Sequence, residues 1–343
     1  MTADLLRVED LRLSFRLEEG GTVRALHGVS FSVAPGETLA LAGESGCGKS
    51  VTALSILRLL AVPPAVPEGG RILFKGRDLL ALPPEEMRAV RGREISMVFQ
   101  EPMTSLNPVL TVGEQVAEVF TAHGACGKAE AMDRAVEWLR RVRIPDPEAR
   151  ARQYPHQLSG GLRQRAMIAA ALALRPSLLI ADEPTTALDV TIQAQVLDLV
   201  RELKEETGMA VLLITHDLGV VRESAQRCAV MYLGRIVETA PSKRLLDAPL
   251  HPYTEGLVGS LPGTGKERLS PVAGAVPPLS AVPPGCPFAD RCPLRRRAKE
   301  SHPGERDPLS ACDVVMPPLE EYEAGHFAAC HFRALERAGR APW

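Results

Sequence analysis

One octapeptide near the start of the chain, Gly43-Glu44-Ser45-Gly46-Cys47-Gly48-Lys49-Ser50, limits the fold more than any other feature. It satisfies the Gly-x4-Gly-Lys-Ser/Thr pattern, for which this chain's residue frequencies give roughly 0.004 chance matches. The uncharged run Thr38-Leu39-Ala40-Leu41-Ala42 precedes it, and a helical pattern over about 49–60 follows. The chain must therefore set a buried strand, a Gly-rich turn and a helix N-terminus in succession. In such a unit the glycines let backbone N–H groups point inward and the helix start adds positive potential. Lys49 reaches the outer phosphates of a nucleotide and Ser50 offers a hydroxyl to Mg2+. The candidate phosphate-binding set is Gly43, Ser45, Gly46, Cys47, Gly48, Lys49, Ser50 and Val51, with Cys47 read as a small loop filler at a variable position.

The other apolar runs fit the same sheet. Residues 95–99, 178–181 and 210–214 read as core strands, and helical patterns cover about 111–122, 128–143, 161–174 and 190–206. Continuous apolar strands separated by helices predict a mostly parallel sheet covered on both faces, whereas the alternating segments 5–15 and 25–33 predict antiparallel strands. The run Leu178-Leu179-Ile180-Ala181-Asp182-Glu183 ends in two acids. Beside a phosphate loop, Asp182 is placed to hold Mg2+ through water and Glu183 to orient and deprotonate an attacking water. Ser159-Gly160-Gly161 opens a helix with exposed backbone donors, a second anion site in a chain with only one phosphate loop; a second chain's nucleotide can fill it.

Composition removes several classes. The 343 residues, 45% hydrophobic and 24% charged, exceed one ordinary domain and can bury a core unaided. Forty Lys and Arg against 42 Asp and Glu give a net charge of −2, which argues against a dedicated nucleic-acid binder. The acidic start and the lack of any 18-residue apolar run predict a cytosolic chain that does not itself span a membrane. Twelve of the 29 prolines lie in 262–318, so a boundary is expected near residue 260, followed by a segment without regular helix or central strand. Seven cysteines fit a reducing compartment, and Cys286, Cys292, Cys312 and Cys330 crowd the end. Their C-x5-C-x19-C-x17-C spacing leaves free thiols, zinc and an iron–sulfur cluster all open. The run Arg295-Arg296-Arg297 is read as a solvated or carboxylate-paired face, and His302, His326 and His331 as surface.

Taken together, the phosphate loop, Gln100 after a strand, Leu158-Ser159-Gly160-Gly161, the acids of Ile180-Ala181-Asp182-Glu183-Pro184, Ala187-Leu188-Asp189 and His216 resemble the ATP-binding subunits of ABC transporters over about 1–260. The resemblance implies a P-loop ATPase fold: a mostly parallel α/β core, an antiparallel β subdomain and a helical subdomain at about 101–175. It implies ATP and Mg2+ as ligands and a head-to-tail dimer in which Ser159, Gly160 and Gly161 close over the partner's ATP. Gln100 then senses Mg2+ and the water, Glu183 is the general base, His216 contacts the terminal phosphate and Asp189 communicates across the dimer. Ser50, Gln100 and Asp182 make up the Mg2+ side, and Phe15 either stacks on adenine or is plain strand core. Leu162 departs from the Gln that many signatures carry, and altered packing is the expected consequence.

The segments after Gln100, at 251–262 and around the four cysteines resemble more narrowly the oligopeptide/dipeptide importer branch, with 261–343 as its C-terminal extension. That branch implies peptide import, with nickel or glutathione as alternatives. It implies a paralogous ATPase partner in a heterodimer, two integral membrane permease subunits, an extracytoplasmic solute-binding protein, and a peripheral position on the cytoplasmic face of the membrane. It also implies a four-iron, four-sulfur cluster on Cys286, Cys292, Cys312 and Cys330. Two competing readings are a soluble ABC ATPase of DNA repair or translation and a metal sensor that merely retains a nucleotide fold.

Overall fold

A computed structural model describes residues 4–101, 105–186, 189–261, 272–301 and 307–340. Ala187, Leu188 and His302 lie outside the described residues. The chain runs β1 (Leu6–Arg16), β2 (Thr22–Val33), β3 (Thr38–Ala42), α1 (Lys49–Ile56), β4 (Ala65–Phe74), β5 (Arg77–Asp78), α2 (Pro84–Val90) and β6 (Ile95–Val98). It continues with α3 (Val112–Ala122), α4 (Lys128–Arg141), α5 (Pro147–Ala151), α6 (Gly160–Leu172), β7 (Leu178–Asp182), α7 (Val190–Thr207), β8 (Ala210–Thr215) and α8 (Leu218–Ser224). The last part holds β9 (Arg227–Tyr232), β10 (Arg235–Pro241), α9 (Ser242–Asp247), α10 (Pro252–Val258), α11 (Pro293–Ser301), α12 (Ala311–Val314), β11 (Glu320–Glu323), β12 (His326–Ala328) and α13 (His331–Arg337). The expected strands and helices of the first 215 residues are present. The helix from Lys49 stops at Ile56 because Arg58 turns left-handed, at φ 51°.

Residues divide into two compact units. The first comprises residues 1–6, 33–38 and 74–214. In it β6, β7 and β8 are parallel, with Ile95 opposite Leu178 and Leu178 opposite Ala210. Every residue of the three strands is buried, as a parallel sheet covered on both faces requires. Helices α3 to α6 form a helical block. A capping box between Thr111 and Glu114 starts α3, and Ser159 and Asp189 cap α6 and α7. Buried Arg165 of α6 donates to the Val142 carbonyl at 2.9 Å and to Gln195 of α7 at 3.0 Å, so the helix that follows Ser159 is fixed to two neighbours.

The second unit comprises residues 7–32, 39–73 and 215–343. Strand β3 pairs in parallel with β9, β9 antiparallel with β10, β10 antiparallel with β12 and β12 antiparallel with β11. The strand that leads into the phosphate loop and the last two strands of the tail thus share one hydrogen-bonded ladder. A single apolar core runs beneath it, from Ala40 and Ala42 through Tyr232, Tyr253 and Phe288 to Cys286, Cys312 and Cys330. The expectation that proline excludes regular structure from the tail is overturned. Pro293 occupies the first position of α11, where its fixed φ and missing N–H are harmless, and β11 and β12 follow the last proline of the segment.

Two further expectations about the tail have opposite outcomes. His326 is not surface: it is fully buried with its Nε2 2.7 Å from Glu238, a carboxylate that also accepts from the Leu250 and His251 N–H groups. The arginine run is carboxylate-paired where it matters. Buried Arg295 makes a bidentate pair with Asp313, at 2.6 and 3.1 Å, and a second pair with Asp307. Replacing Arg295 with Met leaves Asp307 and Asp313 without their buried cation, with only the exposed Lys299, 3.6 Å from Asp313, remaining nearby. Because Asp313 is 40% exposed, water screens part of the penalty. The expected destabilisation is about 1–2 kcal/mol, concentrated in the segment of α11 and α12. Thermal unfolding together with amide exchange of those two helices measures it.

Candidate nucleotide-binding and hydrolysis site

The phosphate loop takes its shape from backbone positions that no side chain tolerates. At Gly43, with φ 150°, a Cβ would lie 2.3 Å from the Met231 carbonyl oxygen of β9. At Gly48, with φ 104°, it would lie 2.9 Å from Met231 Cε and 3.0 Å from Leu26 Cδ2. Gly46 faces open space, and it is its φ of 79° that favours glycine. The loop is tied down by the Gly234 N–H, which donates to the Cys47 carbonyl at 2.8 Å. Gly48 is the N-cap of α1, so the loop ends where unsatisfied helix N–H groups begin.

Lys49 is buried, and its Nζ donates to the carbonyls of Gly43 at 2.7 Å and Glu44 at 2.9 Å. The ammonium therefore lies folded over the loop. Ser45 and Gly46 are exposed at its rim, while Ser50 and Val51 are half-buried on the first turn of α1. Cys47 is the buried filler expected of it, and burial pushes its thiol up in pKa, which makes it a poor nucleophile.

The predicted acids stand at the end of β7. Asp182 is buried as the last residue of the strand. Glu183 follows in a left-handed conformation, φ 45°, with its N–H donating to the Ile214 carbonyl at 2.9 Å. One carboxylate oxygen of Glu183 accepts from Gln100 Nε2 at 3.1 Å and from the Thr186 hydroxyl at 2.8 Å. Gln100 itself sits just beyond β6, so the parallel register of β6 and β7 brings the two side chains together. A glutamate held at positive φ costs about 1 kcal/mol or more, and such strain concentrates at working sites. Thr186 was not among the sequence candidates; its position three residues past the acid was the available signal.

The remaining candidates occupy separate places. Ser159 and Gly160 are exposed at the start of α6, where Ser159 Oγ accepts from the Leu162 N–H at 3.4 Å. At Gly161 a Cβ would come within 2.9 Å of Ile192 on α7, so the glycine permits the close approach of those helices. Leu162 is half-buried and leaves Ser159 and Gly160 uncovered. Asp189 is exposed and accepts from the Ile192 N–H at 3.0 Å. His216 is exposed just after β8, and Phe15 is half-buried on β1.

In the tail, Cys286, Cys312 and Cys330 are buried and Cys292 is half-buried. Burial raises the thiol pKa of all four, to about 12 at Cys312 and about 11 at Cys330. Neighbouring cysteines add to the rise at Cys286, Cys312 and Cys330. Among the described residues no group of three or more His, Cys, Asp or Glu is arranged to hold a single metal ion.

A Gly-rich loop opening a helix after a buried strand, with acids at the end of a parallel strand, defines a nucleotide-hydrolysing P-loop protein. Residues 26–186 match the ABC transporter family, and 237–298 match the oligopeptide/dipeptide transporter C-terminal region. The dipeptide transport ATP-binding protein DppD of Bacillus subtilis is 54% identical over 328 residues, covering 95% of this chain and 94% of the relative. A peptide ABC transporter ATP-binding protein of Sinorhizobium fredii, y4tR, is 54% identical over 329 residues with the same two coverages. Among solved structures, the ATP-binding cassette MJ0796, a post-hydrolysis dimer bound to ADP and phosphate, superposes with TM-score 0.62 at 30% identity, over 69% of this chain and 98% of that one. The chain belongs to the ATP-binding subunits of ABC transporters, in the oligopeptide/dipeptide branch, and is an ATPase of the ABC fold.

The contact at Gly43 gives the first site prediction. Gly43→Ala forces the loop off Met231 and is expected to lower ATP affinity by about a hundredfold or more, with the chain still folded. Equilibrium binding of a fluorescent ATP analogue, beside a thermal melt, measures both.

Proposed function

We propose that this chain energises the import of peptides, of the dipeptide or oligopeptide class, through a membrane ABC transporter. The observation that carries the hydrolytic half is the cluster at the end of β7, where Gln100 and Thr186 fix one oxygen of the Glu183 carboxylate in a chain with a complete phosphate loop. The similarity to a dipeptide transport and a peptide transport ATP-binding protein supports the substrate class. No observation favours nickel, glutathione or a DNA-repair role.

ATP binds with its outer phosphates on the loop N–H groups and Lys49, and its Mg2+ on Ser50, Asp182 and Gln100. Phe15 stacks on the adenine. Glu183 takes the proton of the attacking water, and His216 holds the terminal phosphate. The exposed Ser159 and Gly160 at the helix start suit a phosphate supplied by a second subunit, and Asp189 caps α7, the helix whose Ile192 lies against Gly161, to report across that contact. The second subunit is a paralogue, and closure of the pair around two ATP molecules is the power stroke.

Residues 1–260 form the ATPase and 261–343 the extension, with the helical subdomain at about 101–175. A groove of about 540 Å3 lined by Met97, Phe99, Leu106, Gln115, Val119 and Met167 receives one of two integral permease subunits. Phe99 of its lining immediately precedes Gln100, whose side chain donates to Glu183. Among the described residues no helix is long and apolar enough to cross a membrane, so docking on the permeases is what brings the chain to the cytoplasmic face. An extracytoplasmic solute-binding protein supplies the peptide.

The four tail cysteines are read as ligands of a four-iron, four-sulfur cluster. Such a cluster needs four thiolates, and Cys286, Cys312 and Cys330 share one apolar core against which Cys292 packs. When bound it would be an electron-storing staple for the tail. Burial without a metal disfavours all four thiolates, so the cluster would supply the charge compensation that they lack.

Glu183→Gln is expected to leave ATP binding within about twofold of the parent and to lower turnover in the assembled transporter by about a hundredfold or more. Unchanged turnover removes Glu183 as the base. Anaerobically purified chain is expected to be brown and to carry about four iron atoms, and Cys312→Ser to lose both colour and iron. Colourless, iron-free parent protein with an ordinary melting transition counts against the cluster.

A further inference from the structure

The phosphate loop contains an acid, Glu44, at a position where a polyphosphate binds. Like charges close together are unfavourable, so a free carboxylate there opposes ATP. Every polar group of Glu44 is instead engaged. Its N–H donates to the Tyr253 hydroxyl at 2.8 Å, its carbonyl accepts from Lys49, and its carboxylate accepts from both terminal nitrogens of Arg291, Nη1 at 2.7 Å and Nη2 at 3.1 Å. Arg291 comes from the tail, 247 positions away, in the segment between Cys286 and Cys292.

The arginine is a built feature and not a surface contact. It is buried; its Nε donates to the Ala273 carbonyl at 2.9 Å and its Nη1 reaches the Tyr232 hydroxyl at 3.3 Å. Its guanidinium lies 5.8 Å from the ring centres of both Tyr232 and Phe288. Those two rings pack with Tyr253 in one aromatic cluster, at 4.7 to 5.4 Å between centroids. The planar fork meets the carboxylate in the bidentate geometry that only arginine provides.

We infer that Arg291 is a positioning residue of the ATP site. It neutralises Glu44 and draws its side chain toward the tail core, so that the loop presents N–H groups and Lys49 to the nucleotide without a competing negative charge. Tyr253 fixes the same residue by its backbone. The C-terminal extension thereby sets the charge and shape of the phosphate loop, and any change that loosens the segment between Cys286 and Cys292 weakens ATP binding. This inference rests on ATP binding at the phosphate loop, which the Lys49→Ala variant tests separately: loss of ATP binding there supports the loop as the ATP site whatever Arg291 does, and retained binding removes the basis of the inference.

The test is a charge cycle on the full chain, read as the Kd for a fluorescent ATP analogue. Arg291→Met is expected to weaken binding about tenfold at low salt, and adding Glu44→Gln to it to bring the double variant back to within about threefold of the parent. The defect of Arg291→Met is also expected to shrink as salt is raised, because the repulsion it uncovers is screened. A purely structural arginine lowers the melting temperature without moving the Kd, or gives a Kd defect that Glu44→Gln fails to restore; either result overturns the inference. Should Arg291→Met not fold, Arg291→Lys is assayed in both backgrounds, with about a threefold loss and the same restoration expected. An unchanged Kd for that variant, or a loss that Glu44→Gln leaves in place, is equally decisive against it.

Discussion

The contact of the phosphate loop with the end of β9 is the constraint from which the second unit is built. Gly43 and Gly48 both press on Met231, and the Gly234 N–H holds the loop at Cys47. Because β9 pairs with β3 on one side and β10 on the other, the loop's floor is part of the ladder that supports its own strand. Tyr232, the last residue of β9, turns the opposite way into the aromatic cluster with Tyr253 and Phe288. One strand end therefore fixes the backbone that faces phosphate and anchors the core that carries the tail. Displacing it moves both.

Glu183 is handled by a different device. Glu183 is placed by a strained backbone at the end of a fully buried parallel strand, where adjacent strands of the same direction deliver their C-terminal residues to one edge. Gln100 and Thr186 are uncharged donors that orient the carboxylate through one of its oxygens. Glu44, a few residues past the strand that leads into the phosphate loop, receives the opposite treatment, with arginine as its partner. The same side chain is held by uncharged donors in one place and by a buried arginine in the other, and the difference lies in what each is bonded to.

Local sequence carried much of this. The strand, loop and helix of the phosphate site, the cap at Ser159 and the acids after Ala181 are contiguous patterns whose physics acts over a few residues, and each is legible in the sequence. What escaped depends on sequence-distant partners. His326 reads as surface until Glu238, 88 positions away, is found beside it, and Arg291 is an ordinary basic residue until Glu44 is. Proline density misled for a related reason: it reports the helix interior and the sheet centre, not the first helical turn at Pro293 or the strands that begin after the prolines end.

The tail strands add a mechanical consequence. β12 pairs with β10 through Glu238 and Thr239, and Glu238 is the residue whose carboxylate gathers the N–H groups of Leu250 and His251 at the start of α10. α10 in turn carries Tyr253 to the Glu44 N–H. A continuous path of hydrogen bonds thus runs from the last strands of the chain, through one buried carboxylate and one helix, to the backbone of the phosphate loop. Arg291 reaches the same residue by a second route, through its side chain. An extension needed only for docking would require neither path. Glu44 is thus attached twice, its charge directly to the tail through Arg291 and its backbone to Tyr253 of α10, which the tail strands reach through Glu238.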